Sequence, residues 1–484
     1  MRPNVLIILA DQHRFDCLGA AGNGEVRTPH LDALAADGVR FDNCFCPYPV
    51  CTPSRYSLLS GVPAHEHRGW SNLSTPAPGT AMFPRLLRQA GYRTAAVGKM
   101  HFTPTYLDLG FDEMHLAEQD GPGRWDDDYH RYLMQHDLID RNDLQDQRSE
   151  YRKNALDAYW QTFGAMVSNL SEEHHATTWI ADRALDKLKA WTPDRPSLLM
   201  VGFIKPHHPF DPPAPWDKMY DPLSLSLLPG WCSECFPHDL DMSRGYFPNA
   251  DLTEAALRRV MAYYYAAISQ IDHHVGRMIR LLKQNGLYDN TLIVYTADHG
   301  DYMGHHHMIL KGNYLYDALA KVPLIIKYPR SQNAGRTDGR LVNNIDLAPT
   351  LCRAAGYTSA ETMKGKDLAA DAAGHDVIFS ESNGAGQVMA RTKTHKLLLA
   401  APRNANLFFD LQNDPHEMNN LCADPACAAV IADLEQKLTA WRHKGPIPKP
   451  FTEGPLITGP NVSPADGSHR PAIIEYSDKK MAEP

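Results

Sequence analysis

The chain has 484 residues, of which 43% are hydrophobic and 22% are charged, a composition typical of a soluble globular protein with a large domain and a smaller appendage. Its formal net charge of -9 excludes nucleic acid as a partner and gives no basic footprint for an anionic membrane surface. No apolar stretch approaches the roughly 20 residues that cross a bilayer, so no membrane-spanning helix is expected. The nine scattered cysteines do not resemble a secreted disulfide framework, so a reducing cytoplasm is expected.

Strand-like and helical segments alternate along the chain, and the first of them is an apolar run at 4–10 that predicts a buried strand. Leu31 and Leu34 share one face of a predicted helix over 28–37. A long amphipathic helix is predicted over 253–286. Further core strands are predicted at 92–98, 197–203, 291–297 and 322–328. This alternation predicts an α/β fold in which a large mixed, mostly parallel sheet is sandwiched between helices.

The C-terminal part of the chain has a different pattern, and a polar stretch at 367–375 marks the predicted boundary. A small antiparallel sheet is predicted from the segments VIFSES, KLLLAA and NLFFDL, with a helix after it at about 428–443. The end of the chain is rich in Pro and Gly, which predicts an extended surface tail that could reach a neighbouring subunit in a homo-oligomer. The predicted division is a catalytic α/β domain at 1–370, a C-terminal α+β subdomain at 371–445 and an extended tail at 446–484.

Polar residues follow the carboxyl ends of several predicted strands, where ligands bind in open α/β sheets. These residues are Asp11-Gln12, Lys99-Met100-His101, Lys205-Pro206-His207-His208 and Asp298-His299. Carboxylate and amide oxygens together with an imidazole nitrogen are ligands for a divalent cation. An isolated loop carboxylate is more often a helix cap, so each pair alone leaves both interpretations open.

Cys51 stands at the start of another predicted helix. Thr52 can cap this helix and Pro53 suits its first turn, so Cys51 is expected at the positive end, which attracts anions. The residues themselves leave two interpretations of Cys51, which are a buried structural thiol and a thiolate nucleophile.

Residues 51–55, CTPSR, match the signature Cys-x-Pro-Ser-Arg at every fixed position, and the chain resembles the sulfatase family of the alkaline-phosphatase-like superfamily. The resemblance continues, in the family's order, through RPNVLIILADQ, TPHLDALAADGVRF, GYRTAAVGKMH, KPHHPF, TADHGDYMGHH and NLFFDLQNDPHEMNNL. It implies that a maturation enzyme oxidises Cys51 to formylglycine. It also implies that the aldehyde is hydrated and that one oxygen of the resulting diol attacks the sulfur of a sulfate ester.

The resemblance implies a divalent metal as cofactor, usually calcium. Its ligands would be residue 51 together with Asp11, Gln12, Asp298 and His299. Many relatives carry Asp and Asn at the positions of Gln12 and His299, so this mixed oxygen and nitrogen set also suits manganese or magnesium.

Further roles are implied for the remaining polar residues. Arg55 would hold the diol in place, while Lys99 and Lys311 would contact sulfate oxygens as point charges. His101 would be the base, and His207, shared with Lys311, would be the acid that protonates the leaving alcohol. Substrate contacts are implied for Asn72, His208 and His306.

The predicted function is therefore hydrolysis of a carbohydrate or aryl sulfate, and three alternatives are weighed against it. A phosphonate monoester or phosphodiester hydrolase of the same superfamily would share the nucleophile and metal set, but relatives of that kind carry uncharged hydroxyl residues in place of Lys99 and His101. A binding protein on an inactive scaffold would have lost part of this set. A cysteine hydrolase would need no metal. Cys232 and Cys235 have zinc-ligand spacing without a second pair, so they are interpreted as loop cysteines.

Overall fold

In the computed structural model, a nine-stranded sheet lies at the centre of the larger part of the chain. The described residues are 2–240, 247–312, 314–358, 360–382, 386–400, 405–442, 448–458 and 467–483. The strands of the large sheet, numbered along the chain, are β1 (Asn4–Asp11), β2 (Val39–Phe45), β3 (Arg93–Gly98), β4 (Glu113–Leu116), β5 (Ser197–Pro206), β6 (Thr291–Ala297), β7 (Lys321–Val322), β8 (Leu324–Lys327) and β9 (Arg336–Asn343).

The strand order is β4-β3-β5-β1-β6-β8-β2-β7, and β9 pairs with β2. The first five strands of this order are parallel to one another; β8 runs antiparallel to both β6 and β2, and β2 pairs in parallel with β9. The predicted fold class, a mixed and mostly parallel sheet between helices, is confirmed. The strand predicted at 322–328 is divided into β7 and β8 at Pro323, which has no backbone N–H to donate to a neighbouring strand.

Helices cover both faces of the sheet. The helices of the described residues are α1 (Pro29–Ala36), α2 (Cys51–Ser60), α3 (Ala64–His67), α4 (Phe83–Gln89), α5 (Asp128–Gln135), α6 (Arg141–Gln147), α7 (Ser149–Arg152), α8 (Asp157–Gln161), α9 (Ala176–Lys189), α10 (Pro237–Leu240), α11 (Glu254–Gln284), α12 (Asp317–Ala320), α13 (Leu347–Ala354), α14 (Ala428–Trp441) and α15 (Arg470–Ala482). Successive side chains of β1 point to opposite faces. Val5, Ile7 and Leu9 pack with α2, α4 and α13, whereas Leu6 and Ile8 pack with α1, α9 and α11.

The helix α11 confirms the long amphipathic helix predicted from the sequence. The Thr253 hydroxyl accepts a hydrogen bond from the Ala256 N–H at the start, and the chain turns away at Gly286, which has a φ of 65°. The buried Tyr264 hydroxyl donates to the Gln12 carbonyl oxygen at 2.7 Å, so α11 fixes the loop after β1. Within the described residues, no helix has the length and apolar character that a membrane crossing requires.

The C-terminal sheet has the strand order β10-β11-β12-β13 and is antiparallel throughout. Its strands are β10 (Ile378–Ser382), β11 (Gln387–Arg391), β12 (His395–Ala400) and β13 (Leu407–Asp410). The predicted helix is present as α14, which packs Leu434 and Leu438 against this sheet. Asp317 of α12 accepts hydrogen bonds from Arg391 at 2.9 Å and Lys396 at 2.8 Å, and this buried ion pair joins the two sheets.

The prediction of an extended tail over 446–484 is wrong for the residues of α15. Ile473 of this helix is buried against Trp125, Ile139 and Leu144, and Arg470 forms an ion pair with Asp126 at 2.6 Å. The high Pro and Gly content of the whole tail gave no indication that α15 carries an apolar residue, Ile473, that packs against the rest of the protein. The segments 443–447 and 459–466 of the predicted tail lie outside the described residues.

We expect Gly202→Ala to destabilise the protein, because β3 and β5 approach closely where the site begins. A Cβ atom at Gly202 would lie 2.0 Å from the Lys99 carbonyl oxygen, and backbone cannot move aside cheaply. The free energy of unfolding should fall by about 2 kcal/mol or more, measured as a lower melting temperature. Gly24→Ala is the matched control, since a Cβ at Gly24 meets nothing within 4 Å; equal melting temperatures for the two variants would contradict the prediction.

Candidate active site

The carboxyl ends of four parallel strands bring the predicted polar residues together. Asp11 is the last residue of β1, Lys99 directly follows β3, His207 directly follows β5 and Asp298 directly follows β6. Cys51 is the first residue of α2 and reaches this edge of the sheet from the side. The convergence predicted from strand order is therefore present in the structure.

Cys51 is buried among acidic and basic side chains. Its Sγ atom lies 3.3 Å from Lys311 Nζ, 3.4 Å from His299 Nε2 and 3.7 Å from Asp11 Oδ1. Burial and the Asp11 carboxylate raise the pKa of the Cys51 thiol, but Lys311, Lys99 and His299 outweigh them and hold this pKa well below its usual range. The surroundings of residue 51 therefore favour a negative charge.

The sequence predicts that Thr52 caps α2, but in the structure it does not. The N-cap residue is Val50, and the Thr52 hydroxyl instead donates to the His101 carbonyl oxygen at 2.7 Å. A hydroxyl inside the first turn points away from the helix axis, so it is free to tie α2 to the loop after β3. This bond fixes the distance between Cys51 and His101.

Arg55 links the two carboxylates of the site. Its guanidinium donates to Asp298 Oδ2 at 2.9 Å, to Asp11 Oδ2 at 3.0 Å and to the Lys99 carbonyl oxygen. All of these groups are buried, so the rigid fork of donors fixes the inner oxygen of each carboxylate. The other oxygen of each carboxylate, Oδ1, stays on the side of Cys51 and His299.

The remaining oxygens and nitrogens fit a divalent cation. Ligand atoms of Asp11, Cys51, Asp298 and His299 all lie within 4.8 Å of one another. The side-chain amide of Gln12 donates to Asp301 Oδ2 at 2.6 Å, whereas its Oε1 is buried without a hydrogen-bond partner among the described residues. A buried carbonyl oxygen without a partner is costly unless a cation or water occupies the space before it.

Electrostatics within the site agree with this donor set. Burial raises the pKa of Asp11, but Lys99, His207 and Arg55 outweigh it and hold that pKa well below its usual range. Burial and the neighbouring Asp11 raise the pKa of Asp298, although Arg55 opposes the shift. Asp11 pairs with both Arg55 and Lys99, whereas Asp298 shares only Arg55 and so has less positive charge beside it.

Lys99 and His101 project from the loop after β3. Lys99 Nζ lies 2.8 Å from Asp11 Oδ2 and donates to the Gln119 side chain at 3.1 Å. His101 has a left-handed φ of 55°, and its backbone N–H donates to Glu118 Oε1 at 2.9 Å. Its Nε2 pairs with Asp120 Oδ1 at 2.7 Å, while its Nδ1 is buried and has no partner among the described residues.

The protonation of His101 is controlled by Asp120. Burial lowers the pKa of His101, but the Asp120 carboxylate and Cys51 outweigh it and raise the pKa to about 10. A carboxylate that holds one nitrogen of an imidazole fixes the tautomer and directs the other nitrogen.

His207 and Lys311 form a pair beside Cys51. Lys311 Nζ lies 3.0 Å from His207 Nε2, and His207 Nδ1 donates to the His208 carbonyl oxygen at 2.6 Å. Burial and Lys311 hold the pKa of His207 well below its usual value, so its Nε2 accepts a hydrogen bond from the Lys311 ammonium. Lys311 is therefore the group of this pair that carries the proton.

His208 stacks on His207 but its side chain points elsewhere. The ring centroids are 4.2 Å apart, and His208 Nδ1 lies 2.5 Å from Asp146 Oδ2. Asp146 in turn accepts a hydrogen bond from Tyr159 at 2.6 Å. His208 thus supports the ring of His207, and Asp146 holds it there.

The predicted substrate contacts Asn72 and His306 lie in different parts of the structure. The Asn72 Oδ1 accepts from the Thr52 N–H at 3.2 Å, and Asn72 lines a cavity of about 320 Å³ together with His101, Asp120 and Arg470. His306 instead pairs its Nδ1 with Asp239 Oδ2 at 2.9 Å. The structure brings Asn72 to the site but places His306 in another cluster.

Three site residues were missed in the sequence. Glu118, Gln119 and Asp120 follow β4, which is the edge strand of the large sheet. The signal available was the same as for Asp11 and Lys99, namely polar residues after a strand. It was not used because β4 has only four residues and its alternating burial gives no continuous apolar run.

Comparisons with known proteins agree with this geometry. The family model described as Sulfatase matches residues 3–357, and the model of the N-sulphoglucosamine sulphohydrolase C-terminal region matches residues 304–444. An arylsulfatase of Clostridium perfringens is 30% identical over 463 residues, which cover 87% of this chain and 90% of that protein.

Two further proteins are similar to this chain over most of its length. The multifunctional alkaline phosphatase superfamily protein PehA of Trinickia caryophylli is 28% identical over 505 residues, which cover 91% of this chain and 95% of PehA. The crystal structure of phosphonate monoester hydrolase of Agrobacterium radiobacter superposes with a TM-score of 0.76 at 25% identity, and covers 91% of this chain and 95% of that chain.

Proposed function

Because the chain belongs to the sulfatase family, we propose that it hydrolyses the sulfate monoester of a carbohydrate or an aryl alcohol to the alcohol and sulfate. The observation that carries this proposal is the convergence of a nucleophile, a cation-binding set and two lysines at one edge of the sheet. Cys51 Sγ lies 3.3 Å from Lys311 Nζ and 3.7 Å from Asp11 Oδ1. A tetrahedral anion placed beside residue 51 meets positive charge on several sides.

The proposed nucleophile is formylglycine, made from Cys51 by a maturation enzyme. Once formed, its hydrate supplies an oxygen nucleophile and a second hydroxyl, whose deprotonation lets the sulfate leave without attack by water. The position of Cys51 at the N-terminus of α2 supports this role, because N–H groups there favour negative charge. Mass spectrometry of the peptide that contains residue 51 tests it, and an active enzyme with only unmodified thiol at this position would refute it.

Asp11, Gln12, Asp298, His299 and residue 51 are the proposed ligands of a divalent cation. When bound, the cation supplies Lewis-acid stabilisation of negative charge in the site. Four of these residues offer donor atoms that lie close together, and the unpartnered Gln12 oxygen supports the fifth. Calcium is the first candidate, the imidazole of His299 makes manganese more plausible than an all-oxygen set would, and magnesium is a third candidate.

The proton steps are assigned to two pairs of residues. Asp120 holds His101 at Nε2 and raises its pKa to about 10, so the imidazole rests protonated and must lose a proton before its Nδ1 can take one from residue 51. On the other side, Lys311 delivers a proton to the leaving alcohol, with His207 relaying or positioning it through their 3.0 Å contact. The acid is therefore assigned to the pair, with the proton resting on Lys311.

The second candidate function is hydrolysis of a phosphonate monoester or phosphodiester, favoured by the similarity to the phosphonate monoester hydrolase of Agrobacterium radiobacter. The presence of Lys99 and His101 favours sulfate, since relatives of the phosphonate type carry uncharged hydroxyl residues there. We would measure kcat/KM for sulfated mono- and disaccharides, an aryl sulfate and an aryl phosphonate monoester. A sulfate ester should give the highest value, and a higher kcat/KM for the phosphonate would overturn the proposal.

We expect His207→Gln to slow substrates with poor leaving groups selectively. Without the imidazole, Lys311 loses its partner at 3.0 Å and protonates the leaving oxygen less effectively. For a sugar sulfate, kcat/KM should fall by roughly 10²-fold, whereas 4-nitrophenyl sulfate, whose leaving group needs little protonation, should lose less than about 10-fold. His273→Gln changes an exposed histidine on α11, outside the site, and is the control that should leave both substrates unaffected. An equal loss for both substrates in His207→Gln would contradict a role in proton transfer.

A further inference from the structure

A second group of metal-ligating side chains lies in another part of the fold. His238 and Asp239 belong to the short helix α10, and His306 belongs to the loop between β6 and Lys311. One ligand atom from each of the three residues lies within 4.8 Å of the others. None of the three belongs to the group around Cys51.

The distances suit a single tetrahedral ion. Asp239 Oδ2 lies 2.9 Å from His306 Nδ1 and 3.7 Å from His238 Nε2. With zinc–nitrogen and zinc–oxygen bonds of about 2.0–2.1 Å, neighbouring ligand atoms in a tetrahedral site are about 3.3 Å apart. The two observed distances lie on either side of this value, so small side-chain movements would complete the geometry.

The surroundings hold the ligands as a metal site requires. The Tyr316 hydroxyl donates to Asp239 Oδ1 at 2.8 Å and lies 3.2 Å from His238 Nε2, so a zinc ion would replace the contact of Tyr316 with His238 while Asp239 Oδ2 stays directed at the two imidazoles. Asp239 and His306 are buried, while the His238 side chain is 21% exposed and provides a path for an ion. His306 Nε2 is buried without a hydrogen-bond partner among the described residues, so the contact of Nδ1 with Asp239 is the one that orients this ring.

The loop that carries His306 has an unusual backbone, which hydrogen bonds to Asp301 and Gly230 help to hold. Met303, His306, His307 and Leu310 all have left-handed φ values, between 41° and 66°. Each such residue costs of order 1 kcal/mol or more, and such a conformation persists only where surrounding structure enforces it. Lys311 lies at the end of this loop, so whatever fixes His306 also helps to place the lysine.

We propose that His238, Asp239 and His306 bind a zinc ion that fastens α10 to the loop leading to Lys311. Two imidazole nitrogens and one carboxylate oxygen are a zinc ligand set, and water would complete the tetrahedron. This second centre is separate from the cation held by Asp11 and Asp298. Its existence does not depend on the substrate of the enzyme.

The test uses the full-length protein with Asp298→Asn, which weakens the first centre. After incubation with zinc and gel filtration, elemental analysis should find one zinc per chain. Adding Asp239→Asn or, separately, His238→Gln at the partly exposed histidine should abolish this zinc. The control His273→Gln changes an exposed histidine on α11 and should keep it.

Melting curves supply a second readout and report folding. Zinc should raise the melting temperature of the Asp298→Asn protein but leave that of the Asp298→Asn/His238→Gln protein unchanged. Absence of bound zinc in the Asp298→Asn protein would overturn the proposal, as would zinc retained by a folded Asp298→Asn/His238→Gln variant. Since no substrate is involved, neither result bears on the sulfatase proposal.

Discussion

Cys51→Ala is expected to lower kcat/KM for the sulfate ester by roughly 10⁴-fold or more, because it removes the proposed nucleophile. The small side chain fits the buried position at the start of α2, so the protein should stay folded. Steady-state kinetics with an aryl sulfate, together with a melting curve, would measure this effect. Binding of substrate should persist, since Lys99 and Lys311 remain.

The matched control is Cys352→Ala on α13, another buried cysteine, which should retain activity. A Cys51→Ala protein with near wild-type kcat/KM would show that the nucleophile lies elsewhere. Alkylation separates the remaining alternative. A thiol hydrolase would be inactivated by a reagent that reaches Cys51, whereas an enzyme with an aldehyde at this position has no thiol there to react.

Removal of divalent cations is expected to lower activity by roughly 10³-fold, since several kcal/mol of charge stabilisation are lost with the cation. Without it, the buried carboxylates of Asp11 and Asp298 face each other with Arg55 and Lys99 as their main counterions. The protein should also melt at a lower temperature. Separate additions of Ca²⁺, Mn²⁺ and Mg²⁺ to the chelated protein, with activity as the readout, would identify the ion that restores function best.

Two variants control this experiment. Asp298→Asn should have little activity before chelation and lose little more after it, because its cation site is already impaired. Asp433→Asn changes an exposed carboxylate on α14 and should behave as wild type in both respects. Full activity in the thoroughly chelated wild type would exclude a catalytic cation.

The sequence predicted the buried core of the fold better than its edges. β1 and β6 are continuous apolar runs buried on both faces, and their ends agree with the predicted strands to within one residue. β2 and β11 were missed. In β2 the polar residues Arg40, Asp42 and Asn43 interrupt the apolar pattern, because this strand lies toward the edge of the sheet.

The candidate site was predictable where strands deliver its residues. Asp11, Lys99 and Asp298 follow long strands, and parallel strands end at the same edge of a sheet. Loop residues were less predictable, because backbone geometry alone decides where their side chains point. His306 has a left-handed φ of 52°, and its ring contacts Asp239, which lies 67 residues earlier in the chain.

The burial of Cys51 limits when residue 51 can be modified relative to folding. Only 1% of this residue is accessible in the folded chain, and α2 is packed on all sides along its length. If another enzyme converts Cys51, as proposed above, it cannot bind a segment that is buried in this way, so it would have to act before the chain folds around residue 51. A molecule that folds first would keep its thiol permanently, and a preparation would then contain a fixed fraction of inert copies that no later treatment of the native protein could rescue.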